Sequence, residues 1–174
     1  MRKENIKWLI KIVLISIAAS MVFTLVSTEI FGRAGYVIAF AGLIVFIIIA
    51  IVFDIIGVAV TVASEAPFHS MAAHHERGAV EALRLIKNAD RVNSICIDIV
   101  GDVTGIVTGS MAALIAAQLM KGLNSENFLF RVLTSGIATG LMVGGKAAGK
   151  TLAINNNTRI VLRVGKLINV LRLK

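Results

Sequence analysis

Apolar and polar positions fall in long blocks along this chain. Four blocks, residues 8–30, 36–62, 94–120 and 128–149, are apolar around most of a helix's circumference. Each exceeds the about 20 residues that carry a helix across a bilayer. Trp8, Lys11 and Tyr36 stand where headgroup-level anchors belong. The start "MRKENIK" resembles the basic lead of a secretion signal. The apolar run behind it outlasts the roughly 7–15 residues of a signal core, so a retained helix is expected. Gly32 and Gly35 mark a short turn, which predicts that the first two helices are antiparallel neighbours.

Two stretches follow another pattern. In residues 64–93, after Pro67, the apolar Ala79, Val80, Leu83 and Ile86 recur at helical spacing with Arg84 and Lys87 between them. That predicts amphipathic surface helices over 66–92. In 157–174, Ile160, Val161, Val164, Leu167, Ile168 and Leu171 share one broad face, and Arg159, Arg163, Lys166 and Arg172 lie elsewhere. This is a second basic, interfacial helix, begun after a break at Asn155–Asn157. The link "KGLNSEN", residues 121–127, is short and polar. The predicted fold is all-α: one polytopic membrane domain of four transmembrane helices, with juxtamembrane and carboxy-terminal amphipathic helices.

Composition agrees. The chain is 57% hydrophobic with a mean hydropathy of +0.86, well above an ordinary soluble domain. One proline and fifteen glycines exclude collagen-like or disordered readings. The lone Cys96 forms no internal disulfide and reads as a small buried side chain. A net charge of +8 admits nucleic acid or anionic lipid as partner. The basic residues gather at junctions between apolar blocks, without the aromatic interleaving of a nucleic-acid platform. A bilayer with anionic headgroups is therefore the expected partner, and nucleic acid is not. Fifteen of the eighteen Lys and Arg flank the first span's start, the 64–93 stretch and the last span's end; Arg33, Lys121 and Arg131 lie opposite. Four spans put the rich segments on one side, so both termini are expected in the cytoplasm, with the protein in the inner (plasma) membrane.

In that setting "SICIDIVGDVTGIVTGS", residues 94–110, is informative. An intramembrane carboxylate normally faces a cavity, a partner or the bundle interior. Asp98 and Asp102 stand one α-helical turn apart. Gly101, Gly105 and Gly109, with Thr104 and Thr108, form a small-residue ridge; Gly136, Gly140 and Gly144, with Ser135 and Thr139, form another. Facing ridges predict close backbone contact between the third and fourth spans. Depth counting at about 1.5 Å per residue then predicts a cytoplasmic-side pocket of Asp54, Glu65, Asp98 and Asp102, with Lys146 opposing. Oxygen groups in such a cleft suit a small hard cation. The same residues also read as a register-fixing ion pair, Asp102 with Lys146, with Asp54 and Glu65 reaching the interface.

Other motifs carry less. "GGKAAGKT", residues 144–151, has phosphate-loop spacing, but no buried strand precedes it. His69, His74 and His75 lack ligand spacing and read as surface residues. No serine has a His–acid companion nearby, so no catalytic residue is expected and the protein is not read as an enzyme.

Two segments resemble known motifs. "VASEAPFHSMAAHHERGAVEALRLIKNADRVNSI" is similar to the serine-alanine-serine-glutamate segment and juxtamembrane helices of the cyclin-M/CorC magnesium-transporter family. "GGKAAGKTLAINNNTRIV" resembles that family's glycine-glutamate-x-x-proline-lysine motif, and the glycine-rich third span lies between. The resemblance covers residues 36–174. It implies a dimeric core of three spans with a central Mg²⁺ site and Na⁺ coupling; the span 8–30 is additional and turns the amino terminus inward. Ser64 and Glu65 match the first motif, whose earlier serine is here Val62. The family's glycine-asparagine-asparagine aligns with Gly101, Asp102 and Val103. Its ligand glutamate falls on Lys146 and its proline on Gly149, while Lys150 is retained. The family's regulatory nucleotide-binding domains are not expected. Two functions follow as expectations. One is a divalent-cation transporter, Mg²⁺ first, with Ser64, Glu65, Asp98 and Asp102 as metal residues and Asp54 and Lys146 lining the pocket. The other is a non-transporting scaffold or regulatory partner in which Lys146 fills the ion site. A homodimer is expected, and a separate regulatory partner belongs to the second reading.

Overall fold

The computed structural model describes residues 3–33, 35–123 and 128–172. The end of the polar link, at 124–127, lies outside the described residues, as do Arg2 and Lys174 of the charge count. Every regular element among the described residues is helical. Helix α1 is Lys3–Arg33 and α2 is Tyr36–Val62. Three short helices follow: α3 Ala66–Ala73, α4 Ala79–Lys87 and α5 Ala89–Asn93. A π-helical segment, Ser94–Gly101, then leads into α6, Asp102–Leu123. The chain ends with α7, Phe128–Asn155, and α8, Asn157–Arg172. Among the described residues, three helices are long and apolar enough to cross a membrane: Tyr36–Val62, Ala89–Lys121 and Phe128–Asn155. Within α1 the apolar stretch is shorter, Ile10–Leu25.

Two boundaries differ from expectation. The fourth apolar block continues as helix six residues past 149, through "KTLAIN". Ala, Lys and Leu are strong helix formers, so the change to polar residues does not stop the helix. Asn156 does, as a one-residue turn before α8. The expected surface stretch over 66–92 divides into α3, α4 and α5. Pro67 stands in the first turn of α3, where its missing N–H costs nothing. Gly78 caps α4 with φ +82°, a left-handed conformation natural to glycine.

The chain forms two compact units. The first comprises residues 1–50 and 99–144. In it α1 packs along α6. Phe23 of α1 meets Phe46 of α2 edge to face, centroids 6.2 Å apart, as expected of neighbouring helices. The buried face of α6 carries Val103, Val107, Met111, Ala112, Ile115 and Ala116.

The second unit comprises residues 51–98 and 145–174. Its core is Ala59, Val60, Phe68, Ala82, Ala153 and Val161, all fully buried. Phe68 plugs the centre from α3. Helix α4 lies on both α3 and α8. The contact with α8 is backbone on backbone: a Cβ added at Gly78 would sit 2.5 Å from Lys166 N, and one at Gly165 would strike the Gly78 carbonyl oxygen. Lys166 Nζ also reaches Glu76 Oε1 at 3.1 Å.

Candidate functional site

In the second unit the last turns of α2 receive two neighbours. On one side come Gly145 and Gly149 of α7. A Cβ at Gly149 would lie 2.8 Å from Ile55 Cγ1, and one at Gly145 would overlap Ile51. With buried Ala153 they form a small-residue ridge at i, i+4, i+8, the spacing that lets helices approach closely. The phosphate-loop spacing at 144–151 is thus a packing ridge inside α7. Its N–H groups are spent within the helix rather than splayed for a phosphate.

On the other side comes the third apolar block. A Cβ at Gly57 would meet Ile97 Cγ1 at 3.0 Å, Cys96 Cβ at 3.2 Å and Asn93 Oδ1 at 3.3 Å. Asp54, Gly57 and Thr61 share one face of α2 by helical period. Thr61 donates to the Gly57 carbonyl at 2.8 Å, with Asn93 Oδ1 a second acceptor at 3.3 Å. Asp54 is 9% exposed, and no hydrogen bond or ion pair engages it among the described residues. Asp54 is thus an enclosed residue whose carboxylate oxygens still reach the surface.

The two aspartates of the third block behave otherwise. Asp98 and Asp102 are both exposed. Asp98 lies in the π-helical segment and Asp102 opens α6. Thr104 seals the junction with α6, its hydroxyl 2.6 Å from Val100 O and 3.0 Å from Gly101 O. Thr108 repeats the device on Thr104 O at 2.7 Å. These threonines serve their own helix rather than a facing one.

The expected glycine zipper is corrected as well. A Cβ at Gly109, Gly136, Gly140 or Gly144 would meet nothing within 4 Å, and one at Gly105 would touch only Met142 Cε, at an ordinary 3.5 Å. At these five glycines, among the described residues, the predicted close backbone contact does not form. Ser64 is exposed. Glu65, half-buried, pairs with His69 Nε2 at 3.3 Å. Lys146 is half-buried beside the Gly145–Gly149 ridge. No ion pair within 4 Å engages Asp54, Asp98, Asp102 or Lys146 among the described residues. Nor does any group of three or more His, Cys, Asp or Glu side chains among them lie as a metal-binding set.

Asn93 and Thr61 were not singled out from the sequence. The available signal was Thr61's position seven residues after Asp54, two turns along one face. No protein-family model matches the chain, and neither a curated protein nor a solved structure does.

Proposed function

We propose that this is a divergent membrane protein of the cyclin-M/CorC type that handles a divalent cation, Mg²⁺ first, at a site on the cytoplasmic half of its spans. Asp54 carries this reading. It is an acidic residue only 9% exposed, on a helix apolar enough to cross a membrane, and an intramembrane acid marks an ion path by default. Thr61, two turns further along that face of α2, and Asn93, hydrogen-bonded to it, add neutral oxygens. Ser64, Glu65 and Asp98, of the same unit, line the approach and hold the ion's hydration shell, which Mg²⁺ keeps in part. In this reading α1 is the fourth span, both termini are cytoplasmic, and the membrane is the inner (plasma) membrane. A second copy completes the protein, covering the open Gly136, Gly140 and Gly144 of α7.

The test is Mg²⁺ flux into proteoliposomes, read by an enclosed indicator dye. Flux is expected from the wild type. Asp54→Asn should lower it at least tenfold. Unchanged flux in Asp54→Asn removes the site.

A second reading rests on the absence of a three-ligand set among the described residues and on half-buried Lys146. Here the protein is a non-transporting scaffold or regulatory partner, with the Lys146 ammonium replacing the ion. Under it the wild type gives no flux, and Lys146→Glu creates Mg²⁺ binding measurable by calorimetry.

A further inference from the structure

Helix α8 contains Arg159, Arg163, Lys166 and Arg172 and no acidic residue. One face is used within the second unit, where Val161 and Gly165 are buried against α4. Around the helix from that face, Leu167, Val170 and Leu171 are 65%, 63% and 76% exposed. Three large apolar side chains therefore stand uncovered in the last two turns, with Arg163 and Lys166 one turn behind them. Beside them opens a cleft of about 450 Å³ lined by Arg77, Lys166, Asn169 and Val170. Its wall is apolar and its rim carries two cations. One of them, Lys166, is partly offset by Glu76 at 3.1 Å, whereas no ion pair engages Arg77 among the described residues.

Position decides what covers this surface. Asn156 alone separates α8 from α7, and α7 is apolar and long enough to cross a membrane. A helix that starts at the end of a span lies at the bilayer boundary, where apolar side chains reach acyl carbon and basic ones reach phosphate. A second copy would bring an equally basic α8 to the same place, and the charges would repel. We propose that the carboxy-terminal half of α8 is seated in the headgroup layer of an anionic bilayer. Leu167, Val170 and Leu171 enter the acyl boundary, and a lipid phosphate rests in the Arg77–Lys166 cleft. This rests on the membrane reading above, but on neither transport nor the ion.

The full chain in nanodiscs tests it, with nitroxide labels in a Cys96→Ala background. Labels go at Leu167→Cys and Leu171→Cys, with Val45→Cys as a span control and Asn156→Cys as an aqueous one. Accessibility to oxygen is compared with accessibility to a water-soluble nickel chelate. In phosphatidylcholine with phosphatidylglycerol, positions 167 and 171 should favour oxygen, as position 45 does. Arg77→Gln and Lys166→Gln should each weaken the dependence on phosphatidylglycerol roughly fivefold, the factor that one basic residue contributes at an anionic surface. Water-like accessibility at 167 and 171 in both lipids, with position 45 in lipid, overturns the inference and leaves the spans intact. Water-like accessibility at 45 overturns the membrane reading itself. Spin–spin broadening at 171 that vanishes on dilution with unlabelled protein assigns the surface to a second copy and also overturns it.

Discussion

Two groups of glycines divide this molecule. In the second unit Gly57, Gly78, Gly145, Gly149 and Gly165 each sit where a Cβ would press into a neighbour. In the first, Gly109, Gly136, Gly140 and Gly144 face open space. Both groups include pairs at i, i+4 on apolar helices, so spacing does not distinguish them. On α7 the open series ends at Gly144 and the packed one begins at Gly145. One residue turns a helix by about 100°, enough to move a ridge from a neighbour's surface to none. A small-residue ridge states that something can approach closely; only the opposing helix states what does.

The sharpest break of this contrast is at the α4–α8 contact. Gly165→Ala should cost about 3 kcal/mol or prevent folding, because the obstacle is the Gly78 carbonyl and backbone cannot swing aside. Gly78→Ala adds a left-handed φ of +82° to the same crowding. Thermal unfolding in detergent, followed by circular dichroism, measures both. Equal stability of Gly165→Ala and wild type would remove the backbone contact from the picture. The ridge on α7 should be more forgiving. At Gly149 the nearest atom belongs to the Ile55 side chain, 2.8 Å away, and a side chain can change rotamer. Gly149→Ala should cost about 1–2 kcal/mol, and Ile55→Val should recover part of it. That non-additivity is what contacting residues show.

Much of the fold was legible because block length and period are local properties. The second block, 36–62, became α2 residue for residue, and α8 begins where Asn155–Asn157 predicted a break. The π-helical segment was not legible: its Ile and Val residues fit any helical period equally well, and only the backbone bonding tells them apart. At the site, burial was the missing quantity. Five ionisable residues were assigned to one pocket by depth alone. Asp54 is buried because α2 is enclosed by neighbours at Gly57 and Ile55, whereas Asp98 and Asp102 stay exposed. Asn93 escaped notice because its partner, Thr61, is 32 residues away, beyond the reach of local periodicity.

The smallest expected effect on folding falls on the open ridge, where it is also the most discriminating. A Cβ at Gly140 meets nothing within 4 Å, so Gly140→Ala should leave thermal stability within about 0.5 kcal/mol. It should even gain slightly, since alanine exceeds glycine in helix propensity by roughly 1 kcal/mol. Gly140→Leu adds bulk to a surface that the proposed second copy covers. The folding midpoint of the detergent-isolated monomer should then hold, while the dimer fraction, read by cross-linking in membranes, falls several-fold. Both observations are needed because they separate two reasons for an open glycine. If Gly140→Leu leaves association unchanged, the ridge faces lipid and the dimer must form elsewhere. If it unfolds the monomer, Gly140 belongs with the packed group, and the division between the two sets of glycines fails there.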